Sequence, residues 1–163
     1  SNAYYVGVDG GCFTEVSCMG IPSAIDHLMP ANNAYKNPYG TEIALFRTAG
    51  GGAARMAVSW DTPGAHGEMG RVRGRQGSFY GKYEGLAKDL PSVRRPPLPP
   101  SINLGSHGGS HGYLTNEFVS AILEDRQPLV DASQALAMTV AGIVAHQSAL
   151  KNGELLKIPQ FRL

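Results

Sequence analysis

The feature that most constrains this chain is the glycine run Gly50-Gly51-Gly52 set between residues 41–48 and residues 53–60. Both flanks are rich in strand-forming residues. A glycine turn between two such runs folds back on itself as an antiparallel hairpin. The same placement excludes a dinucleotide-binding turn at this point, because that turn opens a helix and these glycines join two strands. Residues 13–19 alternate as a strand does and supply a first strand ahead of the hairpin. Between them, Pro22, Pro30, Pro38 and several Asn mark residues 20–40 as a long irregular connection. After the hairpin, the loop of residues 61–66 leads into a further strand over 67–73. Gly74-Arg75-Gln76-Gly77 then turns into residues 78–81. Adjacent strands without intervening helices predict an antiparallel or mixed sheet.

The second half reads differently. Residues 82–105 hold five of the eleven prolines, so they are expected as a surface loop of polyproline character rather than a packed element or an SH3-type ligand. Within residues 112–124, Leu114, Phe118 and Ile122 recur every fourth position, with Ala121 beside them, which predicts an amphipathic helix with that stripe buried. Asp131 and Gln134 have capping-box spacing at the start of a second, longer helix. Its buried face is expected to be Leu136, Val140, Ile143, Val144 and Leu150. Asn152-Gly153 ends it, and residues 155–158 form a last strand before Pro159. The expected fold class is α+β: an open, largely antiparallel or mixed sheet with helices packed on one face.

Composition limits the size and the partners. A chain of 163 residues buries about two-thirds of its unfolded surface, enough for one hydrophobic core. Its formal charge of +1 gives no basic excess for nucleic acid or an anionic membrane surface. Cys12 and Cys18 are even-spaced, hence on one strand face, and about 20 Å apart along it, too far for a disulfide. Both are read as small buried hydrophobes. Ser1-Asn2-Ala3 resembles the scar of a cleaved purification tag. Residues 4–8, stopped by Asp9-Gly10-Gly11, look like the tail of a helix.

The most unusual stretch is Ser106-His107-Gly108-Gly109-Ser110-His111-Gly112. Its glycines let backbone approach a ligand closely, and it lies just before a helix, where free N–H groups favour an anionic or oxygen-rich ligand. Structural capping, substrate contact and metal binding all remain open for the two histidines. The His-x-x-x-His spacing converges on a metal only from a regular helix, which two glycines discourage. Arg71, Arg73 and Arg75 alternate and share a face if the strand is regular. They are a solvated face, a clamp for carboxylate or sugar hydroxyls, or an ion-paired subunit contact. Asp61, His66 and Glu68 sit in a loop of the kind that carries function. His27, His146 and Trp60 are expected to be packing residues. P-loop and nucleophile-elbow patterns are missing.

Residues 13–22, then Asn37-Pro38-Tyr39 leading to Ile43-Ala44-Leu45-Phe46-Arg47, resemble the C-terminal domain of the Gfo/Idh/MocA family, the relatives of glucose–fructose oxidoreductase and inositol dehydrogenase. Residues 67–74, the His107-Gly108-Gly109 element and residues 145–159 continue the match in order. The resemblance implies a two-domain parent in which an N-terminal Rossmann domain binds NAD or NADP. Residues 4–163 would then be a single substrate-binding and oligomerisation domain. In the family, hydride passes between nicotinamide and a sugar or cyclitol carbon. Catalysis there uses a Lys in a Glu-Lys-Pro motif and a His near the start of the second domain's first helix. Neither is matched here, and the His is expected immediately before Tyr4. The fragment is therefore expected to lack the catalytic residues, to bind neither cofactor nor metal, and to be inactive alone. His107, His111 and Tyr113 are the candidates for contact with a small sugar-like substrate, followed by Arg71 and Arg73. The open sheet face is expected to be partly apolar and to join a second copy. A sub-branch of NAD-dependent glycosidases, with a comparable Gly-His-Gly-Gly stretch, and a non-catalytic carbohydrate-binding or scaffold module are the alternatives. The parent's compartment, cytoplasmic or exported, stays open.

Overall fold

The computed structural model describes residues 12–64, 67, 69–89 and 97–161. The helix tail expected over 4–8, together with His66 and Glu68, lies outside the described residues. The chain divides into two compact units, one of residues up to 66 with those from 132 onward, the other of residues 67–131.

The first unit is a four-stranded antiparallel sheet covered by a long helix. Its strands are β1 (Phe13–Pro22), β2 (Tyr39–Thr48), β3 (Ala53–Ser59) and β7 (Leu156–Lys157), in the spatial order β3-β2-β1-β7. The expected hairpin is β2–β3, in register from Thr41↔Ser59 to Arg47↔Ala53. Thr48 closes its turn from both sides: the Thr48 N–H donates to the Gly52 carbonyl and the Gly52 N–H to Thr48 Oγ1, each at 2.9 Å. Gly51 supplies the left-handed residue the turn requires, at φ 81°.

Pairing of β1 with β2 slips between Phe13 and Glu15, which leaves Thr14 unopposed. This bulge changes side-chain parity, so Phe13 and Val16 both point into the core. It also undoes the even-spacing argument for the cysteines: Cys18 is buried, Cys12 only half-buried, and both are free thiols. Burial, with the nearby Glu42 charge second, pushes the Cys18 thiol up to about 11.

Among the described residues the α-helix α2 (Ala132–Leu150) lies on the core face of β1. The core joins Phe13, Val16 and Cys18, Ala44 and Phe46, and Ile158 to Ala141, Val144, Ala145 and Ala149 of the helix. The expected helix face is corrected here. Leu136, Ile143 and Leu150 are exposed, Val140 is partly buried against the core, and Val144 alone of the five is buried. Small residues face the sheet instead, because alanines let the helix axis approach the strands closely. Asn152 (φ 57°) and Gly153 (φ 85°) end α2, with the Gly153 N–H returning to the Ser148 carbonyl at 2.9 Å.

The second unit holds a small antiparallel sheet, β4 (Val72–Gly74), β5 (Gly77–Phe79) and β6 (Tyr83–Gly85), and the helix α1 (Ser110–Leu123). Three expectations change. The strand foreseen over 67–73 is confined to β4, and it belongs to this separate sheet. A strand, β6, lies within the stretch read as loop, upstream of its prolines. The stripe of Leu114, Phe118 and Ile122 is exposed, while Gly112 and Ala121 are the buried residues of α1. Gly112 faces the Asn103 carbonyl and Leu98, leaving no room for a side chain. Past the helix end, Arg126 holds Glu117 with two parallel contacts of 2.7 and 3.0 Å, and Glu117 also accepts the Leu129 N–H at 2.9 Å.

Candidate substrate-binding site

The histidine loop is built from three successive left-handed residues: His107 (φ 54°), Gly108 (φ 65°) and Gly109 (φ 89°). Gly108 and Gly109 adopt this conformation freely, whereas His107 adopts it against the steric preference of an L-residue. The resulting tight coil runs directly into α1 and carries His107 back toward His111 on the first helical turn. Their ring centroids are 5.2 Å apart, at 47° between planes. The left-handed coil thus does what a regular helix would do for this spacing. Gly105 makes room on the other side, since a Cβ there would stand 2.9 Å from that of His111. Ser106 Oγ lies 3.3 Å from His111 Nδ1. Both imidazoles are exposed. Tyr113 is half-buried, two residues beyond His111 and therefore on a different face of α1. Among the described residues no group of three His, Cys, Asp or Glu gathers as a metal-ligand set, so the histidine pair has no third such ligand.

The arginines form a second cluster. Arg71 and Arg73 share a face, as expected, and both stack on Tyr80, whose hydroxyl also accepts a hydrogen bond from Arg73 Nε. Arg75 occupies the turn between β4 and β5 and does not join them.

No family model matches the sequence, and no curated protein matches it. Solved structures do. Levoglucosan dehydrogenase in complex with NADH and levoglucosan superposes with a TM-score of 0.64 at 17% identity, over 98% of this chain and 47% of that one. Myo-inositol 2-dehydrogenase from Lactobacillus plantarum gives 0.58 at 19% identity, over 92% and 43%. The WlbA dehydrogenase from Bordetella pertussis, in complex with NADH and UDP-GlcNAcA, gives 0.61 at 12%, over 98% and 42%. This chain has the fold of a Gfo/Idh/MocA C-terminal domain. It spans less than half the length of each of these dehydrogenases.

Sequence reasoning missed one cluster in the first unit. His146, on α2, contacts Glu42 of β2 through Nδ1 and Oε1 at 2.5 Å. The pair borders a 220 Å³ cleft with Asn37, Tyr39, Thr41 and Trp60. Trp60, expected as a packing residue, is 78% exposed at the mouth of this cleft. His27 is exposed as well, and His146 is half-buried and hydrogen-bonded to Glu42 rather than core filling. Glu42 and His146 are 104 positions apart, and no local pattern connects them. Asp61 accepts hydrogen bonds from Thr41 (2.7 Å) and Ser59 (3.2 Å). The Thr41 hydroxyl is the main reason its carboxyl is held below the usual range. Asp61 thus ties the ends of β2 and β3 together, a structural task.

Proposed function

We propose that this chain is the substrate-binding and oligomerisation domain of an NAD(P)-dependent oxidoreductase acting on a sugar or cyclitol. The observation that carries this reading is the match of nearly the whole chain to part of dehydrogenases whose structures hold NADH with levoglucosan, or NAD(H) with scyllo-inositol. Nothing among the described residues fits a dinucleotide: the glycine run closes an antiparallel hairpin, and no strand leads through a glycine turn into a helix. In this reading the nicotinamide site and the residues that move hydride and proton are supplied by the parent's Rossmann domain. The chain's own task is to recognise substrate. His107 and His111 offer two exposed imidazoles held side by side, each able to donate or accept a hydrogen bond with a ring hydroxyl. Tyr113 and the Arg71–Arg73 pair are further contacts in this reading.

Titration of the purified chain with levoglucosan, myo-inositol and NADH, followed by the imidazole NMR signals, tests it. Sugar or cyclitol is expected to shift the His107 and His111 signals, weakened by His107→Ala, while NADH produces no saturable change. Tight NADH binding with unaided turnover would overturn the proposal.

The face of the four-stranded sheet opposite α2 exposes Met19, Ile43 and Leu45, with Leu45 60% accessible. A contiguous apolar face of this kind supports association with a second copy of the chain.

A further inference from the structure

On the small sheet, two positive charges share one phenol. Arg71 enters β4 and Arg73 lies within it, two residues on, so their side chains leave the same face. Arg73 pairs with Ser78 across the ladder, which puts Tyr80, two residues further, on that face too. The guanidinium carbons stand 5.6 Å (Arg71) and 5.4 Å (Arg73) from the Tyr80 ring centroid. Arg73 Nε–H donates to the Tyr80 hydroxyl, which fixes that guanidinium, and among the described residues its terminal nitrogens make no other hydrogen bond. Glu84, opposite Ser78 on β6, stands on the same face. Among the described residues, however, no carboxylate forms an ion pair with Arg71 or Arg73.

The electron-rich ring face attracts both cations and holds them near each other, but it does not neutralise them. Two like charges kept together, with no carboxylate paired to either among the described residues, attract an anion. A guanidinium presents parallel N–H donors in a fork that matches the oxygen spacing of carboxylate and phosphate. We infer that Arg71, Arg73 and Tyr80 form an oxyanion subsite, so that the ligand of this domain carries a carboxylate or a phosphoryl group. The inference rests on the proposed function only for the sugar or cyclitol skeleton that bears the anion.

The test titrates the 163-residue chain with glucuronate, glucose 6-phosphate, glucose and inorganic phosphate at constant ionic strength. The Arg73 Nε–H and Tyr80 ring NMR signals report on the subsite, and the His107 and His111 signals on the loop. Saturable shifts at Arg73 and Tyr80 are expected with an anionic sugar and not with glucose. A response to glucuronate identifies the carboxylate as the source, and a response to glucose 6-phosphate the phosphoryl group. Arg71→Gln is expected to weaken that binding about tenfold or more, the loss typical of a hydrogen bond to a charged group. Arg73→Lys, which keeps the charge and loses the fork, and Tyr80→Phe, which keeps the ring and frees Nε, are each expected to weaken it by a smaller factor. Shifts that never saturate, or that survive unchanged in the Arg71→Gln/Arg73→Gln double variant with its amide spectrum intact, overturn the subsite. If all the sugars move the histidine signals and none moves Arg73, the subsite fails and the sugar-domain reading stands. If anionic sugars bind at Arg73 no more tightly than inorganic phosphate and leave the histidines unmoved, the subsite stands and the sugar-domain reading fails.

Discussion

Ser148 has no accessible surface, yet its hydroxyl is fully used. It accepts the Cys18 N–H at 2.9 Å and donates to the Glu154 carbonyl at 2.6 Å, joining β1, α2 and the turn after it. Ser148→Ala strands a buried donor and an acceptor at once. It is expected to cost about 1–3 kcal/mol, read as a lower urea midpoint with an unchanged slope. An unchanged midpoint would mean that water replaces the hydroxyl. A Ser near the end of an alanine-rich helix gives no hint of such a task, because both its partners lie beyond the helix. His107 was easier to single out than to understand. The flanking glycines marked the loop, but that His107 itself turns left-handed is visible only in the backbone angles.

The helices and the hairpin show which patterns survive folding. The hairpin was legible because alternation and a glycine turn are local signals. Both helices were legible as elements, and both were assigned the wrong face, because large apolar residues were given more weight than small ones. In α2 the sheet takes Ala141, Ala145 and Ala149, and the prediction follows from that contact. Ala145→Leu forces extra volume against β1 and should cost about 1–3 kcal/mol. Ile143→Ala, on the exposed side, should stay within about 0.5 kcal/mol. Thermal or urea unfolding separates the two, and the reverse order would restore the sequence-based face. At the end of α1, the Arg126 fork and the Leu129 N–H hold the Glu117 carboxyl down at about 2, from 4.5. A depressed carboxyl stabilises the fold above its unfolded value, and the contribution disappears as pH falls from about 4.5 through 2. Amide exchange at Leu129, taken relative to its intrinsic rate at each pH, is therefore expected to accelerate over that window, and Glu117→Gln should flatten the response. An equal acceleration in the variant would assign the effect to other groups.

At the scale of the whole molecule, the late strand β7 returns to pair with β1, as its short apolar run before Pro159 suggested. Of the three-stranded sheet, the turn at residues 74–77 and the strand-like runs on either side of it were legible, but β6 and the separation from the large sheet were not, since strands of three residues have no length over which to alternate. The open face of the large sheet carries the proposed self-association. Leu45→Lys sets a charge in the middle of that face, with no core contact to lose, and should leave stability near that of the parent sequence. Light scattering is expected to report a monomer for this variant and a larger species for the unmodified chain. A monomer in both cases would remove the proposed interface. The pairing of β7 has another consequence. The Ile158 N–H reaches the Thr14 carbonyl at 2.8 Å, and the Gln160 side chain reaches the Phe13 carbonyl at 2.8 Å. The entry to the first strand and the exit from the last thus meet at one corner, far along the sequence but adjacent in space. A circular permutant, tethered from Phe161 to Cys12 by a few residues and reopened within Gly50-Gly51-Gly52, would retain every strand of that sheet.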